Sequence, residues 1–508
     1  MKTKKLSTIL DLELAWKRVK NDQYNDLLPD ILELRDVEYD IKTTLSNLRE
    51  QLDRGYQPSD GLDIDVPKKA YTLRPACSMI PEDRIIYQSV VDFISHKVEQ
   101  PPSDACFSYR LNSNPKSSRI FQFWREQWLE MRKKMREAYA NGYCCLLKTD
   151  IAAYFEQIDH DIFIKNVLNG KVKEGQVIYL LSKLLRKWAV SEARYIGIPQ
   201  GCDGSSYIGN LYLRDVDKIM VRGGFKYFRY SDEIRILTKD KREARKAINA
   251  LTHELRRLHL NLQDAKTDII TDPKKIAEEI GTEEDDKTRT FDYEFERRRK
   301  TGKAEESEEE IIKEYNKVTR NGRARHIDIS KFKWCVNKLY SVRSDKALGF
   351  ILKRLSELPF LADSFFQYLG LFAKKKRVKD AIIAFLGSED NIYEWQEMWL
   401  LFALSKAKKI DDKHLQVLRS IITNKEKDWT SRAAAIFALG KLGDDTDRKW
   451  LRDLYRDGDN DYLKRAIMVS VHNLPKSVRN SFYSEVEDAS YNASRLVKYL
   501  KQARIKTI

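Results

Sequence analysis

The sequence predicts an α+β fold, in which an antiparallel sheet with helices is followed by an all-α domain of helical repeats. Two acidic centres indicate the sheet: Asp150 follows an apolar run, and Asp232 lies between apolar and aromatic residues with a strand-like pattern. From about residue 331 the apolar residues follow a helical period, and a Leu-containing pair recurs every 35 residues, as at Leu404-Ser405 and Leu439-Gly440. A helix-pair repeat of that length is typical of an α-solenoid, in which each unit buries its apolar face on its neighbours.

Changes in composition divide the chain into four predicted segments. They are an N-terminal helical region (1–60), a mixed strand and helix region (61–272), a charged helical connector (273–330) and the helical repeat domain (331–508). Within the mixed region the pattern predicts a strand over 143–151, a helix over 241–258 and a last strand over 260–271. Gly223-Gly224 predicts the turn of a hairpin whose strands flank Asp232.

Two segments of the repeat domain are nearly identical in sequence. Phe402–Lys406 reads FALSK, and Phe437–Lys441 reads FALGK. The surrounding stretch, Arg432–Asp444, resembles a HEAT repeat, whereas the other copies are degenerate. A HEAT-like domain is therefore expected, with a plain helical bundle as the alternative.

The composition favours a cytoplasmic protein with a polyanionic partner. The 508 residues carry a formal net charge of +16, and a basic surface gains affinity for nucleic acid because each neutralised phosphate releases counterions. The alternative is a basic surface that binds nothing. The six cysteines show no C-x-x-C spacing, so no zinc module is expected. No apolar stretch approaches 18 residues, which predicts no membrane span and no membrane partner.

The two acidic centres predict a site for divalent metals. If Asp150 and Asp232-Glu233 meet in space, their carboxylates can bind two metal ions. Mg²⁺ takes few protein ligands, usually one or two carboxylates together with substrate phosphates. Asp150, Asp232 and Glu233 are therefore the candidate catalytic residues of a phosphoryl-transfer reaction, and Mg²⁺ is the expected cofactor, with Mn²⁺ as a second metal that the same ligands accept.

Several blocks around these acids occur in the order found in a reverse transcriptase palm with fingers. They are Arg74-Pro75 through Arg84, Phe107–Arg110, Asp150 with Tyr154-Phe155, Pro199-Gln200-Gly201, Tyr230–Glu233 and Ala265-Lys266-Thr267. Together they resemble that family over residues 62–272, about two fifths of the chain. The resemblance implies that the Ile151 carbonyl joins Asp150 and Asp232 as a metal ligand. Glu233 departs from the second aspartate that is usual in the family, although it keeps the charge.

The resemblance also implies a nucleotide site. Phe155 matches the aromatic residue that excludes a ribose 2′-hydroxyl, which implies a preference for deoxynucleotides. The other implied nucleotide-binding residues are Arg74, Arg84, Arg110, Gln200, Gly201 and Lys266. Guanidinium groups suit triphosphate contact, a glycine lets the backbone approach a base, and a lysine can shield pyrophosphate. The alternatives are a core aromatic for Phe155, structural ion pairs for the arginines and a solvated surface residue for Lys266.

The combination of a palm with a helical-repeat tail resembles the bacterial abortive-infection (Abi) reverse transcriptases, closest to the AbiK- and AbiA-like and prophage-borne branches. That resemblance implies anti-phage defence by an untemplated DNA polymerase that assembles as a homo-oligomer. It implies synthesis primed on a protein hydroxyl, so that single-stranded DNA stays covalently attached to the protein. Tyr24 and Tyr39 are the candidate priming residues, although most tyrosines are packing residues.

Two other functions remain open on the sequence. One is a conventional reverse transcriptase that copies an RNA or DNA template from a nucleic-acid primer, with the basic stretch from Lys241 to Arg257 holding RNA. The other is a scaffold in which the repeats bind a partner and the palm is vestigial.

Overall fold

A computed structural model describes residues 4–23, 27–190, 194–282, 308–320, 327–457, 460–502 and 505. The chain divides into two compact units, each built from separate stretches of sequence. The first comprises Met1–Pro29, Lys42–Leu62 and Cys77–Ala304, and the second comprises Asp30–Ile41, Asp63–Ala76 and Glu305–Ile508. The predicted four-segment division stays a prediction.

The described helices before residue 300 are α1 Leu6–Ile9, α2 Leu12–Asp22, α3 Arg35–Tyr39, α4 Ile41–Arg54, α5 Pro81–Ser95, α6 Trp124–Ala140, α7 His160–Ile162, α8 Gly175–Lys187, α9 Asp203–Tyr212, α10 Arg214–Arg222, α11 Lys241–Arg257 and α12 Pro273–Ile280. The later ones are α13 Glu308–Thr319, α14 Ile329–Ser341, α15 Leu348–Leu352, α16 Ala362–Leu371, α17 Lys376–Leu386, α18 Glu394–Leu404, α19 Asp412–Thr423, α20 Trp429–Leu442, α21 Asp445–Asp453, α22 Asp461–Val471, α23 Lys476–Val486 and α24 Tyr491–Leu500. Within the described ranges, no helix is both long and apolar enough to cross a membrane.

Six strands form two sheets in the described part of the chain. They are β1 Leu62–Pro67, β2 Leu73–Ser78, β3 Cys145–Asp150, β4 Lys226–Tyr230, β5 Glu233–Thr238 and β6 Asp268–Ile270. The strands β1 and β2 pair with each other, and the other four make an antiparallel sheet in the order β4-β5-β3-β6. The predicted antiparallel sheet with helices is confirmed.

Helices cover both faces of the four-stranded sheet. On one face, Leu146 and Phe228 pack with apolar residues of α6 and α12 in a buried cluster. Because side chains alternate along a strand, the neighbouring residues point to the opposite face. There α10 and α11 pack on the sheet, and Tyr227 and Arg229 reach Asp217 of α10. The sheet is therefore a rigid base for the residues at its strand ends.

The second unit contains successive helices that pack on one another, with α18 against α16 and α20, and α20 against α22. Its inner helices are apolar almost all round, so that every residue from Thr430 to Gly440 except Arg432 is buried. A methyl group added at Gly440 would lie 2.3 Å from the Ser470 Cβ, so the glycine permits the close approach of α20 and α22. The predicted all-α repeat domain is confirmed.

Two local predictions were wrong. Gly223 and Gly224 end helix α10, and the hairpin between β4 and β5 turns at Ser231-Asp232 instead. Gly224 has φ +80°, a backbone conformation that glycine adopts readily. This glycine lets the chain leave the helix and does not form a hairpin turn. The predicted strand over 260–271 is mostly irregular: Leu262 makes one bridge to Ile151, and only Asp268–Ile270 forms a strand.

Candidate active site

The sheet register brings the two predicted acidic centres together. Asp150 is the last residue of β3, and its Cα partner in β5 is Glu233. Tyr230 and Glu233 pair across the hairpin, so Ser231 and Asp232 form its two-residue turn. The Ile151 N–H donates a hydrogen bond of 3.2 Å to the Asp232 carbonyl, which fixes the turn beside the end of β3. Asp232 thus lies at the hairpin tip, next to Asp150.

The carbonyl of Ile151 points toward the same turn. In an extended chain the N–H and C=O groups of one residue point to the same side. The Ile151 N–H is directed at Asp232, whereas the neighbouring Ala152 N–H bonds the Asn261 carbonyl on the other side. The predicted ligand set of Asp150, Ile151 and Asp232 therefore consists of oxygen atoms around one strand end.

Charge is concentrated at this strand end. The Asp150 side chain is 10 % exposed, and Lys266 donates a hydrogen bond to its carboxylate. Burial raises the pKa of Asp232, and the negative charge of Asp150 raises it further. The hydrogen bond to Asp150 raises the pKa of Lys266. The lysine ammonium group is thus the cation that offsets two adjacent carboxylates.

Glu233 takes a different position from the two aspartates. Its side chain is 47 % exposed, and its carboxylate lies 3.2 Å from Nη2 of Arg235. Arg235 in turn lies 3.6 Å from Glu279 of α12. Burial raises the pKa of Glu233. Within the described residues, no group of three or more His, Cys, Asp or Glu side chains is arranged to hold a metal ion.

The donor set nevertheless fits a divalent cation that is shared with a substrate. Mg²⁺ bound through one or two carboxylates keeps water molecules or substrate phosphates as its other ligands. Asp150 and Asp232 supply two such carboxylates, and a cation already contacts Asp150 in the form of the Lys266 ammonium group. This pair is therefore a candidate metal site, which substrate oxygens would complete.

Phe155 lies on the helical turn that follows β3. Ala153 has φ +45°, which redirects the chain into the short 3₁₀ helix Tyr154–Glu156. The Phe155 ring is half-buried, and a methyl group on Gly209 of α9 would lie 3.3 Å from it. A small residue in α9 therefore allows the ring to pack closely while one part of it stays accessible.

Gln200 and Gly201 lie in the segment that leads into α9. Gly201 has φ +100°, a conformation in which other residues are strained, and this explains a glycine at this position. Gln200 is half-buried. At the start of α9, the Asp203 N–H donates a hydrogen bond of 2.8 Å to Asp22 of α2. The segment is thereby fixed to the N-terminal helix.

The three predicted arginines occupy different environments. Arg84 is buried and lies 3.0 Å from the Asp22 carboxylate, and Arg110 contacts Glu130 at 2.8 Å and the Cys106 carbonyl at 2.8 Å. For both, the structural ion pair that the sequence left as an alternative is present. Arg74 is exposed on β2, which belongs mainly to the second unit.

Of the two candidate priming tyrosines, Tyr24 lies outside the described residues. Tyr39 is 54 % exposed at the end of α3 in the second unit, and its ring packs edge-on against Tyr499 at 6.0 Å.

One further functional candidate was missed by the sequence analysis. Arg229, next to the Tyr230–Glu233 motif, is fully buried. A charged residue inside an aromatic strand was the available signal.

Comparison with known proteins identifies the family of this chain. Residues 66–352, more than half of the chain, match the family described as reverse transcriptase (RNA-dependent DNA polymerase). The chain belongs to the reverse transcriptase family. Residues 398–470 match HEAT repeats, which decides against a plain helical bundle.

The individual proteins that resemble this chain are related to it only over a short stretch or at low identity. The group II intron-encoded protein LtrA of Lactococcus lactis subsp. cremoris, also from strain MG1363, is 32 % identical over 114 residues. That alignment covers 22 % of this reverse transcriptase family member and spans only 18 % of the length of LtrA. An apo telomerase from Candida tropicalis aligns over 90 % of this chain and 74 % of that chain, at 11 % identity and a TM-score of 0.32.

Proposed function

We propose that this chain is a DNA polymerase that adds deoxynucleotides at the site formed by Asp150 and Asp232. The main support is that a hydrogen bond holds the Ser231-Asp232 turn beside the end of β3. The carboxylates of Asp150 and Asp232 therefore lie together at one partly buried site. In the reaction, a hydroxyl oxygen attacks the α-phosphorus of a dNTP. A new P–O bond forms, the bond from the α-phosphorus to the bridging oxygen breaks, pyrophosphate leaves, and the hydroxyl proton passes to solvent.

The residues of the site have separate roles in this reaction. Two Mg²⁺ ions, or Mn²⁺ in their place, would activate the attacking oxygen and neutralise the leaving group when bound. Asp150, Asp232 and the Ile151 carbonyl would hold them, with Glu233 at the exposed edge. Lys266, whose side chain is 62 % exposed, can leave Asp150 when metal binds and then offset charge on the pyrophosphate.

The accessible side of Phe155 supports a preference for deoxynucleotides. A ring held in place by close packing on Gly209 cannot easily move aside for a ribose 2′-hydroxyl. The left-handed backbone at Gly201 leaves room for a base or template to approach. Arg74 stays a prediction as a triphosphate ligand, and its side chain is exposed on β2.

For the biological role, we propose abortive-infection defence against phage, with synthesis primed on a tyrosine of the protein and without a template. The support is the chain's organisation, since a reverse transcriptase region is followed by HEAT repeats at 398–470. The exposure of Tyr39 is compatible with a priming role. The same proposal includes single-stranded DNA attached covalently to the protein, a homo-oligomer and a cytoplasmic location.

A conventional templated reverse transcriptase is the second candidate. The description of the matched family as RNA-dependent DNA polymerase favours it. Helix α11 also exposes a row of cations that includes Arg242, Arg245, Lys246 and Arg256, which suits phosphate contact. In this case an RNA or DNA template and a nucleic-acid primer would be the partners.

The test is incubation of the purified protein with Mg²⁺ and labelled dNTPs, with and without an RNA template and DNA primer. Products are separated on a denaturing gel before and after protease digestion, with Asp232→Asn as the inactive control. Label that needs no primer and changes mobility with protease supports protein priming. Extension that occurs only with primer and template supports the conventional enzyme. No incorporation under either condition contradicts the proposed polymerase and favours the scaffold.

The priming residue is tested in the same assay with Tyr39→Phe. Tyr179→Phe is the matched control, because Tyr179 is also an exposed tyrosine, at 71 %. Loss of protein-linked label in Tyr39→Phe alone supports Tyr39. If label is retained in Tyr39→Phe, priming occurs elsewhere, and Tyr24→Phe is the next variant.

A further inference from the structure

A guanidinium group is fully buried directly behind the Ser231-Asp232 turn. Arg229 of β4 and Asp217 of α10 both have no exposed surface, and they form an ion pair with Nη2–Oδ2 at 2.5 Å and Nε–Oδ1 at 2.7 Å. Burying such a pair is unfavourable unless nearly every donor is satisfied. The other hydrogen bonds of Arg229 therefore indicate the structural role of the ion pair.

All five N–H donors of Arg229 have acceptors. Beyond the two bonds to Asp217, Nη1 donates to the Ser231 carbonyl at 2.9 Å and to Asn210 Oδ1 at 3.0 Å. Nη2 donates to the Asn210 carbonyl at 3.2 Å. An arginine can only donate, so the contact with Nη1 also fixes which way the Asn210 amide points. The guanidinium thus joins helices α9 and α10 to the hairpin turn.

A second chain of hydrogen bonds reaches the N–H group of Ser231 in the same turn. Asn210 Nδ2 donates to the Ser108 carbonyl at 3.0 Å, and the Ser108 hydroxyl donates to Asn210 Oδ1 at 3.3 Å. The Ser108 Oγ then accepts the Ser231 N–H at 2.7 Å. Both polar groups of the Ser231 backbone are therefore held by buried side chains that connect to Asn210.

Ser231 needs such restraint because its backbone is unfavourable in isolation. Its φ of +57° lies in the left-handed region, which is uncommon for a residue other than glycine. The residue that follows is Asp232, whose own carbonyl accepts the Ile151 N–H. The conformation of Ser231 thus decides where the Asp232 carboxylate lies relative to Asp150.

We propose that Arg229, Asn210 and Ser108 are positioning residues that preorganise the Ser231-Asp232 turn for metal binding. The importance of the turn rests on the proposed polymerase function, whereas the restraint itself does not. A lysine at position 229 would keep the charge but has three donors from one atom, so it cannot bond Asp217, Asn210 and Ser231 together. The shape of the guanidinium, and not its charge alone, is the required property.

The first test uses Ser108→Ala, which removes the acceptor of the Ser231 N–H and leaves the Arg229–Asp217 pair intact. The control is Thr238→Val, which removes a buried hydroxyl that bonds the Cys145 and Asp240 carbonyls at the far end of β5. Hydrogen–deuterium exchange is measured for a peptide spanning residues 226–234 of the whole protein. The Mg²⁺ concentration that gives half-maximal dNTP incorporation is measured in parallel, and Mn²⁺ binding is followed by electron paramagnetic resonance.

In Ser108→Ala we expect exchange in this peptide to accelerate by about fivefold, since one hydrogen bond is lost. The half-activating Mg²⁺ concentration and the Mn²⁺ dissociation constant should rise by a similar factor, with the rate at saturating Mg²⁺ largely retained. Thr238→Val should change none of these values. Unchanged exchange and unchanged metal binding in a folded Ser108→Ala protein would overturn the proposal.

Arg229→Lys is the second variant. We expect it to lose the restraint, so that exchange is faster and metal binding weaker than in the wild type. Wild-type values in Arg229→Lys would mean that charge alone suffices, and the positioning role would be wrong. If the wild type incorporates no nucleotide on any primer or template, the proposed function fails, yet exchange and Mn²⁺ binding still decide the positioning proposal.

Discussion

The ammonium group of Lys266 contacts the carboxylate of Asp150, the residue at which β3 ends. A cation therefore already lies where a metal ion would need access. Because Lys266 is mostly exposed, it can move away without disturbing the core. Lys266 and a metal ion are thus expected to compete for Asp150.

Replacement of Lys266 by methionine tests this competition. We expect tighter Mn²⁺ binding by about threefold, because a competing charge near Asp150 is removed. The maximal rate should fall by about tenfold, because the leaving pyrophosphate loses a nearby positive charge. Both are measured on one preparation, by paramagnetic resonance and by nucleotide incorporation.

Lys148→Met is the matched control for Lys266→Met. Lys148 lies on β3, the strand that ends at Asp150, but its ammonium group contacts Glu279 and not Asp150. Neither metal affinity nor maximal rate should change much in this variant. Equal effects of the two substitutions would mean that general charge, and not the contact with Asp150, sets metal binding.

Glu233 should contribute less than the aspartates. Nearly half of its side chain is exposed and it is paired with Arg235, so removal of its charge should lower the incorporation rate by no more than about tenfold. The measurement is the rate of Glu233→Gln at saturating Mg²⁺. Glu279→Gln also removes a partner of Arg235 and is the control. A loss in Glu233→Gln as large as that in Asp232→Asn would contradict this ranking.

Phe155 should control the choice of sugar. Phe155→Val shortens the side chain beside Gly209, and we expect discrimination between dNTPs and rNTPs to fall by about 10- to 100-fold. Competition between a labelled dNTP and its rNTP gives the ratio of kcat/KM values. Tyr154→Phe removes only a buried hydroxyl that bonds the Gly209 carbonyl, and it should retain the wild-type preference. Unchanged sugar selectivity in Phe155→Val would show that Phe155 is only a packing residue.

Asp203 predicts a pH dependence of stability. Burial, with the nearby charge of Asp22, raises its pKa to about 8. A carboxyl group with a raised pKa binds a proton in the folded state that the unfolded chain has lost, so its contribution to stability falls as pH rises from about 4 to about 8. Asp203→Asn removes this term, and the amide can still donate to Asp22.

The difference in urea midpoint between Asp203→Asn and the wild type should therefore increase from pH 5 to pH 8 and then stay constant. Asp215→Asn is the control, because the ion pair with Arg214 lowers the pKa of that half-exposed acid. A difference that is the same at all pH values would show that Asp203 is ionised throughout.

The sequence could predict the parts of the site that depend on local pattern. An apolar run ending at Asp150 and an aromatic run before Asp232 both form strands, and their alternation sets which residues share a face. The 35-residue period also predicted the repeat domain, since each repeat buries a similar apolar face. The family match confirms both inferences at the level of fold.

Contacts between distant residues could not be predicted in this way. Arg84 and Arg110 are ion-paired with Asp22 and Glu130, and nothing in the sequence links these positions. Arg229 was missed because its partner Asp217 lies on another element. The hairpin turn predicted at Gly223-Gly224 was wrong because a Gly-Gly pair can end a helix as well as form a hairpin turn.

We expect Asp150 and Asp232 to act together in metal-dependent addition of deoxynucleotides. The most direct test is Mg²⁺-dependent dNTP incorporation by the wild type and by Asp232→Asn, with thermal unfolding of both. Because burial and Asp150 oppose ionisation of Asp232, the amide should leave the melting temperature unchanged or higher. We predict incorporation by the wild type and a loss of at least about 1,000-fold in Asp232→Asn. Similar activity in a folded Asp232→Asn protein would contradict the account.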